Sequence, residues 1–155
     1  MIRQKKSERK AIDETPSVIT ILGEPCSKAN SRKVVMIRGH IRVIKSAKAL
    51  SYVKVVHENT PVRTSLFDDD VFIAMKIFYK TRRPDLDESL ILDVLQDRMY
   101  KNDRQVKGKY ILWGLDNENP RTVVSCGPIG EKELVIRALE EQLKKESGDG
   151  DGDKC

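Results

Sequence analysis

Between Val71 and Tyr79 the residues Val71, Ile73, Met75, Ile77 and Tyr79 alternate with Phe72, Ala74, Lys76 and Phe78, so both faces of an extended segment are largely apolar. That pattern suits a strand covered on both sides and predicts a central place in a sheet. Val18-Ile19-Thr20-Ile21-Leu22 reads as another strand, stopped by Gly23 and Pro25. Residues 26–33 then read as a polar loop carrying Lys28, Arg32 and Lys33. Residues 34–37 and 40–44 predict a hairpin around Arg38-Gly39. Ser46 predicts the cap of a helix over 47–57, with Lys48 and Lys54 exposed. Leu90, Ile91, Val94 and Leu95 fall on one helical stripe, which predicts a helix opened by Asp87 and Glu88 and running to about Met99. Strands over 110–115 and 122–125 flank the turn Asp116-Asn117-Glu118-Asn119-Pro120, and an amphipathic helix over 130–145 closes the pattern. The expected architecture is an α+β (α/β) domain over residues 15–146, a small sheet flanked by helices.

The pattern fails at both ends. Residues 1–14 are rich in Lys, Arg and Glu and predict a disordered basic arm, while residues 147–155 predict a disordered Gly/Asp tail. In the tail Asp149, Asp151 and Asp153 have the spacing that opens a calcium-binding loop, but the distal Glu such a loop needs does not follow. The 155 residues suit one domain with one sizeable core. With no membrane-length apolar run and a charged start, the chain is expected to be soluble, unexported and cytoplasmic, without a membrane partner. Cys26, Cys126 and Cys155 lie far apart and fit neither a disulfide framework nor a zinc site, so they read as free thiols.

Charge changes the picture more than the net +5 does. Residues 1–60 hold 13 Lys+Arg against 5 Asp+Glu, and the remainder holds 16 against 19, so the two parts carry +8 and −3. A basic surface beside an acidic site suits a protein that approaches a polyanion and needs cations to tolerate it; a lysine-rich solvated surface is the plainer reading.

The acids themselves are patterned. The central strand delivers the chain into Arg82-Arg83-Pro84-Asp85-Leu86-Asp87, where Pro84 favours extended backbone and the period of two sends Asp85 and Asp87 to one face. Asp103 follows sixteen positions after Asp87, in Asn102-Asp103-Arg104-Gln105-Val106. Three carboxylates gathered at the foot of one helix would hold Mg2+ or Mn2+ through oxygen and leave room for water and a phosphate. The competing reading is that Asp87 and Glu88 only cap the helix and meet its dipole. No internal repeat, phosphate loop or dinucleotide fingerprint is present, and His40 and His57 are poorly placed for nucleophilic catalysis.

Arg83-Pro84-Asp85-Leu86-Asp87, the helix with Leu92-Asp93-Val94-Leu95, and Tyr100-Lys101-Asn102-Asp103-Arg104-Gln105-Val106 resemble the RusA family of Holliday-junction resolvases. The loop Gly23-Glu24-Pro25-Cys26-Ser27-Lys28-Ala29-Asn30-Ser31-Arg32 is similar to that family's N-terminal motif, so the resemblance covers roughly residues 19–124. It implies a small mixed sheet flanked by helices, in a homodimeric, Mg2+-dependent endonuclease with Mn2+ as a substitute. Its substrate would be a four-way junction or other branched DNA, cut by paired nicks in a bacterial cell or phage-infected host. Asp85, Asp87 and Asp103 fall on the family's metal-binding acids, and Lys28, Arg32, Lys33 and Arg82 would bind phosphates. The chain departs from the family where Glu88-Ser89 follow Asp87, where Ile91 occupies the position of a lysine, and where Asn102 replaces an acid. Glu88 is an additional candidate ligand, and Lys76, Arg82, Lys101 and Lys107 are candidates for the displaced cation. A catalytically silent branched-DNA-binding protein and a plain α/β interaction module are the alternatives.

Overall fold

The computed structural model of the chain describes residues 11–148. In order, the elements are β1 (Ala11–Ile12), β2 (Ser17–Leu22), α1 (Lys28–Ser31), β3 (Arg32–Ile37), β4 (His40–Lys45), α2 (Ala47–Asn59), β5 (Val62–Arg63), β6 (Val71–Tyr79), α3 (Ser89–Leu95), β7 (Val106–Leu115), β8 (Arg121–Pro128) and α4 (Lys132–Glu146). Short 3-10 turns at Asp103–Gln105 and Ile129–Glu131 precede β7 and α4.

The main sheet is mixed, with the order β2-β8-β6-β7. β6 runs parallel to β7 and antiparallel to β8, which is antiparallel to β2. The interior position expected for β6 is therefore observed, and β7 is an edge. One face of the sheet, with Ile73, Met75, Ile77, Ile19, Ile21 and Val124, packs beneath α2 and α3. The other face, with Phe72, Ala74 and Val123, packs on Val135 and Leu139 of α4. Burying apolar surface on both faces of the central strand is the main stabilising contribution of this layering. Cys26 and Cys126 are buried free thiols, and Cys155 lies outside the described residues.

Several elements differ from their expected limits for identifiable reasons. Residues 11 and 12, expected within a disordered arm, pair in parallel with Val62 and Arg63 as a two-stranded ribbon; residues 1–10 lie outside the described part. The polar loop shrinks because Ser27 caps α1, its side chain accepting from the Asn30 N–H, and because Arg32 and Lys33 already belong to β3. α3 ends at Leu95 rather than near Met99. Beyond it Asp97 adopts φ 66°, and the segment spends its backbone on tertiary partners: Arg63 N–H donates to Arg98 O and Phe67 N–H to Met99 O. The buried Arg98 guanidinium donates to Thr60 O and His57 O, which ties the same segment down. The tail beyond Gly148, with its three spaced aspartates, lies outside the described residues.

Candidate functional site

After β6 the chain folds back over the face of β7, and side chains of both strands hold it there. Trp113 Nε1 donates to Pro84 O at 3.2 Å, and the Trp113 ring stacks on Tyr79 with centroids 6.0 Å apart. Asp87 N–H donates to the Tyr79 hydroxyl at 3.1 Å. The Asp87 carboxylate accepts from the Ser89 N–H at 3.0 Å, a local turn that delivers the chain into α3. Glu88 sits at the helix's N-cap without a capping bond of its own, and its carboxylate accepts from Lys109 Nζ at 2.8 Å. Glu24 reaches the same region from the early loop, accepting from Lys80 N–H at 2.7 Å. Burial raises the Tyr79 pKa above its ordinary value; the Asp87 N–H opposes this, and the carboxylates of Asp87, Glu24 and Glu88 add to it.

Asp103 enters from the other end of β7. Asn102 Oδ1 accepts from Arg104 N–H, Gln105 Oε1 accepts from Asn102 N–H, and Gln105 Nε2 donates to Phe67 O and Asp69 O. Asn102 and Gln105 thus form a reciprocal cap that presents Asp103 on a fixed turn. There Asp103 lines a cleft of about 320 Å³ with Arg32, Ser89, Asp93 and Lys109.

The edge strand acts as a ruler for the acids. Its residues rise about 3.3 Å each, so the backbone of Trp113 stands roughly 23 Å along the strand from that of Val106, the end where Asp103 enters. Asp85, exposed and adjacent to Pro84, belongs to the far end of that span. Asp87 and Glu88 lie between, and Lys109 bridges from Glu88 to the Asp103 cleft. Among the described residues no group of three or more His, Cys, Asp or Glu side chains is placed to hold one metal ion. The donor chemistry still suits Mg2+, which is commonly held by one or two carboxylates together with water and substrate phosphate.

The predicted cations separate. Arg32 lines the cleft, Lys33 points from the opposite face of β3, Arg82 is exposed in the loop after β6, and Lys28 opens α1. Lys76 faces the α4 side over Phe78, Lys101 pairs with Asp68, and Lys107 falls at a bulge where Val71 and Phe72 pair with Val106 and Gly108. Ile91 is fully buried in the core. A second cation, Lys109, stands with Arg32 beside these acids; the sequence pattern does not reveal it, because it reads β7 as beginning only at residue 110. With the strand starting at Val106, its alternation puts Lys109 on the face of Ile111 and Trp113. Asp93 lies four positions after Ser89 on the same helical face, and Glu24 carried no periodic signal.

No protein-family model and no curated protein matches the sequence.

Proposed function

We propose that the chain is a Mg2+-dependent crossover-junction endodeoxyribonuclease, resolving Holliday junctions by paired phosphodiester hydrolysis in DNA recombination and repair. In this reading it works as a homodimer in the cytoplasm of a bacterial cell or phage-infected host. Among the described residues no helix is long and apolar enough to cross a membrane. The observation that carries the reading is the cleft lined by Asp93, Asp103, Arg32 and Lys109, with Glu88 paired to that Lys109 and Asp87 bonded to Ser89, which lines it too.

A phosphodiester entering the cleft meets Arg32 and Lys109, whose charge offsets that developing on the phosphoryl oxygens. Lys109 first has to leave Glu88. With side chains 43% and 22% exposed, that ion pair contributes at most about 1 kcal/mol, so a phosphate is a competitive partner. Asp85, Asp87 and Asp103 are the proposed catalytic and metal-binding acids, with Glu88 as a further ligand and Lys28, Arg32, Lys33 and Arg82 as phosphate contacts. Bound Mg2+ or Mn2+ would polarise the phosphoryl oxygen and supply hydroxide.

A second reading, a branched-DNA-binding protein without nuclease activity, is favoured by the burial of Ile91, which stands where the family the chain resembles carries a lysine, and by the existing pairing of Lys109 with Glu88.

A synthetic four-way junction incubated with wild type, Asp87→Asn and Asp103→Asn in Mg2+, Mn2+ or chelator decides between them. Asparagine at 87 keeps an oxygen that can accept from the Ser89 N–H, so the fold is retained. Paired nicks are expected from wild type with metal, and a loss of about 10²-fold or more in each variant with binding kept. Cleavage undiminished in both variants would refute the site, and binding without cutting in any metal would establish the silent reading.

A further inference from the structure

Residues 32–45 contain Arg32, Lys33, Arg38, Arg42 and Lys45 and no acid. They form the β3–β4 hairpin, closed by Arg38 and Gly39 at φ 50° and 78°, the signature of a type I′ turn that gives the ribbon its twist. Val34 pairs with Val43 and Met36 with Ile41, which places these four apolar side chains on one face. They are 67%, 62%, 73% and 72% exposed. Arg32 pairs with Lys45 at the root of the same face, and Lys33, His40 and Arg42 lie on the other. A two-stranded ribbon has no core of its own, so an exposed apolar face of this kind marks a binding surface.

Charge decides what covers it. Two copies stacked on these faces would stand about 10 Å apart, within about one Debye length, and would each enclose Arg32 and Lys45 with no acid of the hairpin to offset them. A nucleic acid reverses that sign and gains counterion release at every cation. The apolar quartet narrows the class further. A continuous duplex hides its base faces in the stack, whereas a branch, end or unpaired step exposes them, and Ile and Met side chains are suited to wedge against them. Arg32 also lines the Asp103 cleft, so a strand lying along the ribbon arrives at the acids.

We infer that the β3–β4 hairpin is a docking ribbon for branched or locally unpaired DNA, with Val34, Met36, Ile41 and Val43 against exposed bases and the flanking cations on phosphates. The inference rests on the nucleic-acid substrate proposed above and adds the element that recognises the branch.

Full-length protein in chelator, titrated against a fluorescent four-way junction and a linear duplex of matched composition, tests it. The double substitution Met36→Ser and Ile41→Ser leaves charge unchanged; it is expected to weaken junction binding about tenfold while duplex binding changes less than about twofold. Arg38→Gln with Arg42→Gln is expected to weaken both and to reduce the slope of log K against log salt by about two. Val43→Thr preserves strand shape and is expected to weaken junction binding several-fold; it serves if the double variant melts early. Wild-type junction affinity in the serine variant that folds, or in Val43→Thr, overturns the inference. So does a loss of affinity that tracks dissociation of an oligomer in sedimentation, which would make the face a contact between copies. Selective junction binding through the ribbon without metal-dependent cutting would retire the nuclease reading alone, and cutting with undiminished affinity in the serine variant would retire the ribbon alone.

Discussion

Lys109 is where a single residue's environment bears most on chemistry. Its side chain is 43% exposed, its ammonium is paired with Glu88, and it lines the cleft that holds Asp103. Replacing it by methionine keeps the aliphatic stem and removes only the charge. Under the proposed function Lys109→Met lowers single-turnover cleavage of a junction about 10²-fold, while stability changes by less than about 1 kcal/mol, as the loss of an exposed pair requires. Cleavage at the wild-type rate would remove Lys109 from the mechanism. The acids at 85, 87 and 103 are legible in the sequence and this lysine is not, because its significance depends on which face of β7 it occupies.

Among the elements, β6, the β3–β4 hairpin and α2 were legible because each carries a complete local code. β6 has a two-sided apolar run, the hairpin has its Arg38-Gly39 turn, and Ser46 caps α2, its hydroxyl accepting from Ala49 N–H at 3.2 Å. α3 was legible only in its buried stripe. Its C-terminal end is set by hydrogen bonds between residues 98 and 99 and a segment about 30 to 40 residues earlier, which no local propensity encodes. The packing of α4 on β8 depends on Gly127, where an added Cβ would stand 2.8 Å from Val135 Cγ2 and 3.5 Å from Pro16 Cβ. Gly127→Ala should therefore destabilise the protein by about 1–3 kcal/mol through overpacking, read as a lower urea midpoint at unchanged m-value. An unchanged midpoint would mean that α4 shifts at no cost.

At the scale of the molecule, the layer between the sheet and α2/α3 holds groups that ionise only at high pH. Burial pushes the Cys126 thiol up to about 12 from 9.0, with Arg63 opposing, and raises the hydroxyl pKa values of Tyr52, Tyr79 and Tyr100. Each folded-state pKa lies above its unfolded value, so the neutral forms stabilise the fold fully below about pH 9. That contribution is lost as pH rises toward 12, because the unfolded chain gives up its protons first. The urea midpoint is accordingly expected to be level from pH 7 to 8.5 and to fall steadily from pH 9 to 11. A flat profile over that range would contradict the burial of these groups.

The sequence by itself determined the alternation of strands and helices, the central strand, the basic character of the first 60 residues, and the presence of acids at 85, 87 and 103, since each of these is written in neighbouring residues. Only the tertiary structure decided that Lys109 pairs with Glu88 beside the cleft of Asp93 and Asp103, and that the hairpin leaves an apolar face in water. The physical reason is that strand order, register and the path of a loop across a neighbouring strand follow from contacts between segments distant in the chain, where the periodicity of any one segment carries no information.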